Sequence, residues 1–307
     1  MDCIKLLLEA GAAVDIKDFN GRTAYDLAVN EGRISIASLL RPDITEHKSA
    51  HPKDQVADRQ AIRARLKAKE KLDRKMYREM ILHSYSRLQP SLFSFQKSFF
   101  QESFLRAIEE GSRESLLAIL EEVHPGIFVF PMLSPDYCSM MLEELDNFEQ
   151  SGLPLKRPNS MNNYGVILND IGFKDAMYEL LERYINPFAS LLFAEDGGLS
   201  LDRHHSFVVK YKLGEDLDLK EHVDDSDVTL NVCLGKEFEG GELEFNGVLG
   251  TKTSKKDKFL LSHRPGFGIL HLGKHWHAAR PILNGERWNL IVWCRSSTKR
   301  GLPVKHK

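Results

Sequence analysis

Several features that mark membrane, secreted or nucleic-acid-binding proteins are missing from this sequence. No stretch approaches the ~18 uninterrupted apolar residues that a membrane-spanning helix needs. The N-terminus carries Asp2 and no long apolar core, which is unlike a secretory signal. The formal net charge is only −2, so the whole chain has no electrostatic bias towards nucleic acid or an anionic membrane. We therefore expect a cytoplasmic or nuclear protein with no membrane partner.

Paired cysteines are missing as well. The four cysteines form no Cys-x-x-Cys pair and lie far apart, at Cys3, Cys138, Cys233 and Cys294. This distribution argues against a zinc ribbon or a disulfide framework and fits a reducing compartment. At 307 residues, the chain can hold one large domain with a smaller appendage, or two domains.

Residues 1–42 resemble part of an ankyrin repeat. The run "IKLLLEAGAAVD" is followed by "DFNGRTAYDLAVNEGRISIASLL", in which Asp18 and Gly21 suit a turn and Thr23 precedes an apolar helix. A repeat cannot bury its apolar face alone, and about three are usually needed for stability. Two interpretations stay open. The segment belongs to a partner-binding array whose chain starts before Met1, or it is a remnant cap that packs on the rest of the chain.

Residues 43–122 are predicted to form a helical, basic linker region. Between Arg59 and Arg78 there are nine Arg or Lys residues against two acidic ones, and no Gly or Pro interrupts the run. Apolar residues recur at rough helical spacing, which predicts one long basic helix over residues 55–88. This helix is either a solvated linker or a surface for acidic partners, nuclear import or nucleic acid. Two short helices around Gly111 are predicted to follow.

Residues 123–300 are predicted as helices followed by a block of strands. Residues 127–130 favour a strand, and Ser134 with Pro135 favours the start of a helix. From Ser206 onward the apolar segments are short, β-branched or aromatic, and divided by Gly and Pro: "SFVVKYKL", "VTLNVCLG", "GELEFN", "FGILHL" and "WNLIVWC". This order predicts an α+β fold with a barrel or sandwich at its C-terminal end.

His222 and Asp224 are the first candidate metal ligands. In an extended backbone, residues i and i+2 face the same side, so the imidazole and the carboxylate can converge on one ion. The pair is weak evidence alone, because many surface turns contain it. A 2-His-1-carboxylate site needs a third ligand from a distant strand. His271, His275 and His277 are available, and strand alternation does not choose between them because they share one parity.

Arg287 is a candidate anion-binding residue. It begins the apolar strand "RWNLIVW", which contains no acidic residue, so a buried guanidinium there needs an anion. A dicarboxylate bound to a metal at one end and to Arg287 at the other would satisfy both sites.

Four segments carry a pattern that is specific in combination. They are "YKLGEDLDLKEHVD", with Tyr-x-x-Gly before His-x-Asp; "FEGGELEF"; "GFGILHLGKHWHAARPILNGERWNLIVW", with a distal His, Pro and Gly-Glu-Arg; and "RPNSMNNYGVIL" before the core. Together they resemble the 2-oxoglutarate- and Fe(II)-dependent oxygenases, specifically the prolyl/lysyl hydroxylase-type branch. The resemblance covers roughly residues 123–296. It departs from the family at Asn289, where Ser or Thr is common.

The resemblance implies a double-stranded β-helix, or jelly roll, with its core at residues 206–296 and iron at its open end. The implied catalytic residues are the Fe(II) ligands His222, Asp224 and His277, with Arg287 binding the distal carboxylate of 2-oxoglutarate. The implied co-substrate and pocket residues are Tyr211, Thr229, Asn231 and Asn289. His204, His205 and His263 are assigned to the surface or to positions outside the ligand set.

Two arguments favour His277 over its neighbours once the resemblance is accepted. It lies ten residues before Arg287, which is the spacing of the family, and just before the turn at Pro281. His271 is then expected in the core, and His275 in the Gly-Lys turn.

The implied activity is hydroxylation of an unactivated C–H bond with release of succinate and CO₂. The resemblance favours a Pro or Lys side chain of a protein as prime substrate, O₂ and 2-oxoglutarate as co-substrates, and ascorbate as reductant. The alternative is a catalytically weak scaffold that binds partners through its ankyrin-like and basic segments. The presence of all four implied catalytic residues favours the enzyme.

Overall fold

The structure, a computed structural model, describes residues 2–18, 21–41, 52–252 and 258–303. The chain divides into two compact units, Met1–Met76 and Tyr77–Lys307. Across the described ranges, no helix combines the length and the apolar character needed to cross a membrane.

The first unit is helical. Its elements are α1 (Asp2–Glu9), α2 (Ala24–Asn30), α3 (Ile34–Leu40) and the greater part of α4 (Pro52–Ser84). Helix α2 begins at a capping box, in which the Thr23 hydroxyl accepts from the Asp26 amide and the Asp26 carboxylate accepts from the Thr23 amide. The ankyrin-like assignment of residues 1–42 stays a prediction. The predicted long basic helix is present as α4.

The second unit begins with helices. After the last turns of α4 come α5 (Glu102–Glu110), α6 (Arg113–Ala118), α7 (Pro135–Gln150), α8 (Lys174–Glu179) and α9 (Asn186–Leu192), with a π-helical stretch at Leu180–Ile185 between the last two. Gly111 ends α5 with a φ of 62°, a conformation that favours glycine. Ser134 caps α7 by accepting from the Tyr137 amide, and Pro135 occupies the first turn. The Gly111 turn and the start of α7 lie where the sequence predicts them.

The second unit starts earlier than the oxygenase domain expected at residue 123. Ile81, at the end of α4, is fully buried in the main core. One helical turn later, the Tyr85 hydroxyl donates to Glu144 Oε1 at 2.6 Å. The sequence of α4 is dominated by Arg and Lys, and the few apolar residues near its end are not conspicuous among them. For this reason residues 43–122 were expected to be a linker. The division at residue 42 stays a prediction.

Two antiparallel sheets follow within the described residues. Their strands are β1 (Glu121–His124), β2 (Ile127–Pro131), β3 (Gly165–Ile167), β4 (Leu201–Lys212), β5 (Leu219–His222), β6 (Val228–Gly235), β7 (Phe238–Gly240), β8 (Leu243–Val248), β9 (Lys258–Leu261), β10 (Phe267–Leu272), β11 (His275–Ala279) and β12 (Ile282–Ser296). The larger sheet has the order β1-β2-β10-β6-β12-β4-β3, with β7 paired to β12, and the smaller has the order β5-β11-β8-β9. The predicted α+β class with a C-terminal jelly roll is confirmed.

The larger sheet is buried on both faces. Successive side chains along its strands point to opposite faces, and each face packs against a different layer. Val208 and Leu290 belong to the main core with the helices of the second unit. Their neighbours Phe207 and Ile291 turn the other way and pack with Ala279 of the smaller sheet. The two sheets therefore face each other, and polar residues on the inward face line a pocket between them.

Candidate active site

Strand pairing brings the two candidate metal-binding histidines together. β5 and β11 are antiparallel neighbours, and His277 lies directly opposite His222 in their register. The two ring centroids are 4.3 Å apart. β5 ends at His222, and the chain turns so that the Asp224 amide donates to the Gly273 carbonyl at 2.8 Å. Residues far apart in sequence thereby meet at one place.

The three side chains leave space for an ion between them. Asp224 Oδ1 lies 3.7 Å from His222 Nε2 and 3.6 Å from His277 Nε2. Within the described part of the chain, they form the one group of His, Cys, Asp or Glu residues whose ligand atoms all lie within 4.8 Å of one another. Each Nδ1 faces a backbone carbonyl oxygen, which only accepts: Lys220 at 2.8 Å for His222, and His275 at 3.0 Å for His277. Both Nε2 lone pairs are therefore available, as metal ligation requires.

The Asp224 carboxylate is held from behind by hydroxyl groups. The Thr229 hydroxyl donates to Asp224 Oδ2 at 2.7 Å, and the Ser226 and Thr229 hydroxyl oxygens are 2.7 Å apart. Oδ2 is thus occupied, and Oδ1 faces the histidines. Asp225 faces away and pairs with Arg300 at 2.6 Å. Thr229 lines the pocket as expected, but its hydroxyl is committed to Asp224, so its assignment to the co-substrate stays a prediction.

The other two histidines of the C-terminal segment are buried beside this group. Burial and, to a lesser degree, the nearby His277 lower the pKa of His271 well below its ordinary value and that of His275 to about 4. Burial likewise lowers the pKa of His222 to about 4. The expectation that His275 lies in the Gly-Lys turn is wrong, because the turn ends at Lys274 and His275 opens β11 as a buried residue.

Arg287 lies at the other end of the pocket. Its side chain is only 1% exposed, and its Nε and Nη1 atoms have no hydrogen-bond partner among the described residues. Tyr211 is directly opposite on β4, and the guanidinium carbon lies 4.6 Å from the centre of its ring. Burial lowers the pKa of Arg287, yet an arginine stays charged at any physiological pH. The strand therefore carries a buried cation that requires an anion.

A loop before the core closes over Tyr211. The side-chain amide of Asn162 donates through Nδ2 to the Tyr211 hydroxyl at 3.2 Å. Asn159 shapes this loop, because its side-chain oxygen accepts from the backbone amides of Met161 and Asn162, both at 2.7 Å. These three loop residues line the pocket. The segment "PNSMNNYG" thus forms a structured loop at the pocket wall.

Two asparagines and a histidine complete the polar lining. Asn289 Nδ2 donates to Asn231 Oδ1 at 2.7 Å and lies 3.3 Å from His263 Nδ1. His263, expected at the surface or outside the ligand set, lines the pocket. No periodicity reveals this in the sequence, because His263 lies in the loop between β9 and β10. Its place follows from the packing of that loop.

The pocket as a whole suits a small dicarboxylate. It contains about 480 Å³ of empty space, including the part open to solvent. His222, Asp224, His277 and Arg287 all line it, and Phe207, Val209, Ile291 and Trp293 supply apolar walls. A 2-His-1-carboxylate group with an open side is the donor set of non-heme Fe(II) oxygenases. The residues present therefore fit both iron and a 2-oxo dicarboxylate.

Comparison with known proteins agrees with this class. Residues 81–198 match the OGFOD2-like domain. The chain is 45% identical over 234 residues to the Arabidopsis thaliana 2-oxoglutarate and iron-dependent oxygenase domain-containing protein ICU11. The matched region is 73% of this chain and 59% of that protein. The chain is 46% identical over 230 residues to the Xenopus tropicalis 2-oxoglutarate and iron-dependent oxygenase domain-containing protein 2, of which it covers 66%. A human multifunctional procollagen lysine hydroxylase and glycosyltransferase is 28% identical over 211 residues.

The chain belongs to the family of 2-oxoglutarate and iron-dependent oxygenase domain-containing proteins. It spans less than two thirds of the length of the Arabidopsis relative.

Proposed function

We propose that this protein is an Fe(II)- and 2-oxoglutarate-dependent dioxygenase that hydroxylates an unactivated C–H bond. The observation that carries the proposal is one pocket that contains both the His222, Asp224 and His277 group and Arg287, whose Nε and Nη1 have no partner among the described residues. In the balanced reaction, 2-oxoglutarate, O₂ and R–H give succinate, CO₂ and R–OH. One oxygen atom of O₂ enters succinate and the other enters the product.

Each residue in the pocket has a defined task. His222 and His277 would bind Fe(II) through Nε2, and Asp224 through Oδ1. Bound iron would supply the activation of O₂. Arg287 would bind the distal carboxylate of 2-oxoglutarate through two parallel hydrogen bonds, with Asn289 and Tyr211 beside it. The apolar walls would exclude water and so strengthen these charge interactions.

A Pro or Lys side chain of a protein is the proposed prime substrate. The lysine hydroxylase named among the relatives supports this class. Ascorbate as reductant is proposed on the resemblance alone, and a cytoplasmic or nuclear location on the cysteine distribution, which fits a reducing compartment. A scaffold without catalysis has no use for a buried arginine that lacks an anionic partner among the described residues, because its desolvation destabilises the fold until an anion binds.

The decisive experiment measures binding and turnover with purified protein. The Fe(II)-loaded protein should bind 2-oxoglutarate without O₂ by titration calorimetry. With O₂, it should form succinate slowly, and faster with a matching Pro- or Lys-containing peptide. Protein that contains Fe(II) but neither binds 2-oxoglutarate nor forms succinate would refute the function.

A further inference from the structure

The His263 ring has one nitrogen with a partner and one without. Nδ1 lies 3.3 Å from Asn289 Nδ2. Nε2 is buried and has no hydrogen-bond partner among the described residues, although the ring lines the pocket. The β9–β10 loop that carries it lies between two described strands.

The neighbours of His263 fix which nitrogen carries the proton. An amide nitrogen only donates, and Asn289 Nδ2 has two hydrogens: one serves Asn231 Oδ1 at 2.7 Å and the other points to His263 Nδ1. Nδ1 is therefore the acceptor, and the neutral ring carries its hydrogen on Nε2. Burial and the charge of Arg287 lower the pKa of His263 well below its ordinary value, which keeps the ring neutral. The Nε2–H group is thus a buried donor without an acceptor among the described residues, and a buried donor left without an acceptor destabilises the fold.

This donor lies at the carboxylate end of the pocket. Asn289 and Arg287 are two residues apart on β12 and so face the same side of the sheet. His263 contacts Asn289, and Arg287 is close enough to influence its ionisation. The guanidinium is confined from the other side: a Cβ added at Gly241 would lie 2.8 Å from Arg287 Nη1. Arg287 and His263 therefore line one pocket, and they carry three donor atoms without a partner among the described residues: Arg287 Nε, Arg287 Nη1 and His263 Nε2.

We propose that His263 Nε2–H donates a hydrogen bond to the distal carboxylate of the co-substrate and makes the site selective for 2-oxo acids with a second carboxylate. This inference rests on the proposed function, because it assigns a residue to the same co-substrate. A carboxylate has two oxygens with about four acceptor positions, enough for a bidentate arginine and one further donor. His263 is a specificity residue in this scheme, and Arg287 supplies the charge.

The test compares two 2-oxo acids of equal chain length. 2-Oxoglutarate and 2-oxopentanoate differ only in the distal carboxylate, and each is titrated calorimetrically into anaerobic Fe(II)-loaded protein. His263→Phe keeps a ring but removes the donor. It should weaken 2-oxoglutarate binding about 10-fold or more, the loss typical of one hydrogen bond to a charged group. Its affinity for 2-oxopentanoate should be unchanged. Ser262→Ala, in the same loop, is the matched control and should change neither.

A second pair of variants keeps the test independent of the Phe substitution. The side-chain amide of Gln reaches the position of Nε2, so His263→Gln should retain most of the selectivity, whereas the shorter His263→Asn should lose it. Equal losses for both acids, or no loss for either, overturn the role of His263. Wild-type protein that holds Fe(II) but binds no 2-oxoglutarate overturns the proposed function, and this inference with it. Iron content and thermal unfolding of each variant are measured alongside.

Discussion

The two ends of the pocket are built on opposite principles. At the metal end, each imidazole is oriented by a backbone carbonyl, and the Thr229 hydroxyl occupies the spare oxygen of Asp224. At the carboxylate end, donor atoms of Arg287 and His263 have no partner among the described residues. The protein's own hydrogen bonds thus fix the geometry of the metal end. At the carboxylate end, the donors without a partner among the described residues are available to a ligand.

This difference assigns separate duties to the two ends. A metal ion gains from ligands that are already oriented, since no further ordering is needed on binding. An organic anion binds favourably because it pairs with a buried cation that otherwise lacks a partner. Substitutions at one end should therefore change metal affinity, and substitutions at the other should change 2-oxo acid affinity. The predictions below test this separation.

The largest effect is expected at His277. His277→Ala removes one of three protein ligands, so it should weaken Fe(II) binding by more than the roughly 10–100-fold loss typical of an outer hydrogen-bond partner. Turnover of 2-oxoglutarate should be abolished. Metal content after dialysis and succinate formation measure both effects.

His275→Ala is the control for that substitution. His275 is buried on the same strand and face but lies outside the ligand group. The His275→Ala variant should keep most of its iron and activity. A His275→Ala protein that loses iron while His277→Ala retains it would reverse the ligand assignment.

The next effect is expected at the carboxylate end. Arg287→Lys keeps the charge but loses the planar pair of donors, so 2-oxoglutarate affinity should fall by about 30-fold, equivalent to about 2 kcal/mol. Fe(II) affinity should stay within a few-fold of wild type. Calorimetric titrations of metal and of 2-oxoglutarate measure the two separately, and a parallel loss of both affinities would contradict the separation of the ends.

Thr229→Val tests the metal end without touching a ligand. Valine matches threonine in shape but cannot donate to Asp224 Oδ2. Fe(II) affinity should fall about 10-fold, at the lower end of the range for such partners. The Kd for 2-oxoglutarate, measured at saturating Fe(II), should hardly change. If 2-oxoglutarate affinity falls and iron affinity does not, Thr229 serves the co-substrate and the hydrogen bond to Asp224 is incidental.

How much of this site could be predicted depends on how each residue is positioned. His222 and Asp224 form a local pattern, and the "GER" of Arg287 opens an apolar strand, so both are visible in the sequence. The choice of His277 rested on the resemblance, since strand parity treats His271 and His275 alike. Only the β5–β11 register places His277 opposite His222, and register depends on contacts distant in sequence.

The partners of these residues were less visible. Thr229 was assigned to the pocket through alternation, which gives the face of a strand but not the atom a hydroxyl will choose. His263 was assigned to the surface or to a position outside the ligand set, and its place in the pocket lining was not visible because loops carry no periodic signal. The fold class was predictable because helix and strand patterns are strong and well separated along the chain. The start of the second unit was not, because the burial of Ile81 depends on the tertiary packing of an otherwise charged helix.

The smallest effect concerns stability beside Arg287 and not the pocket itself. Burial raises the pKa of Glu286, but a hydrogen bond from the Trp288 indole and charge interactions with Lys236 and Lys212 outweigh it and lower the pKa to about 2. A carboxylate with a lowered pKa stabilises the fold above its ordinary pKa, and this contribution is lost as pH falls towards 2. Glu286→Gln should therefore reduce the free energy of unfolding by about 1–2 kcal/mol at pH 7. The difference in unfolding free energy between variant and wild type should disappear between about pH 4.5 and pH 2.

Denaturant unfolding at several pH values measures this difference, and the 2-oxoglutarate affinity of the Glu286→Gln variant at pH 7 should equal that of wild type. A gap that is independent of pH would show that the charge of Glu286 is not what stabilises this end of β12.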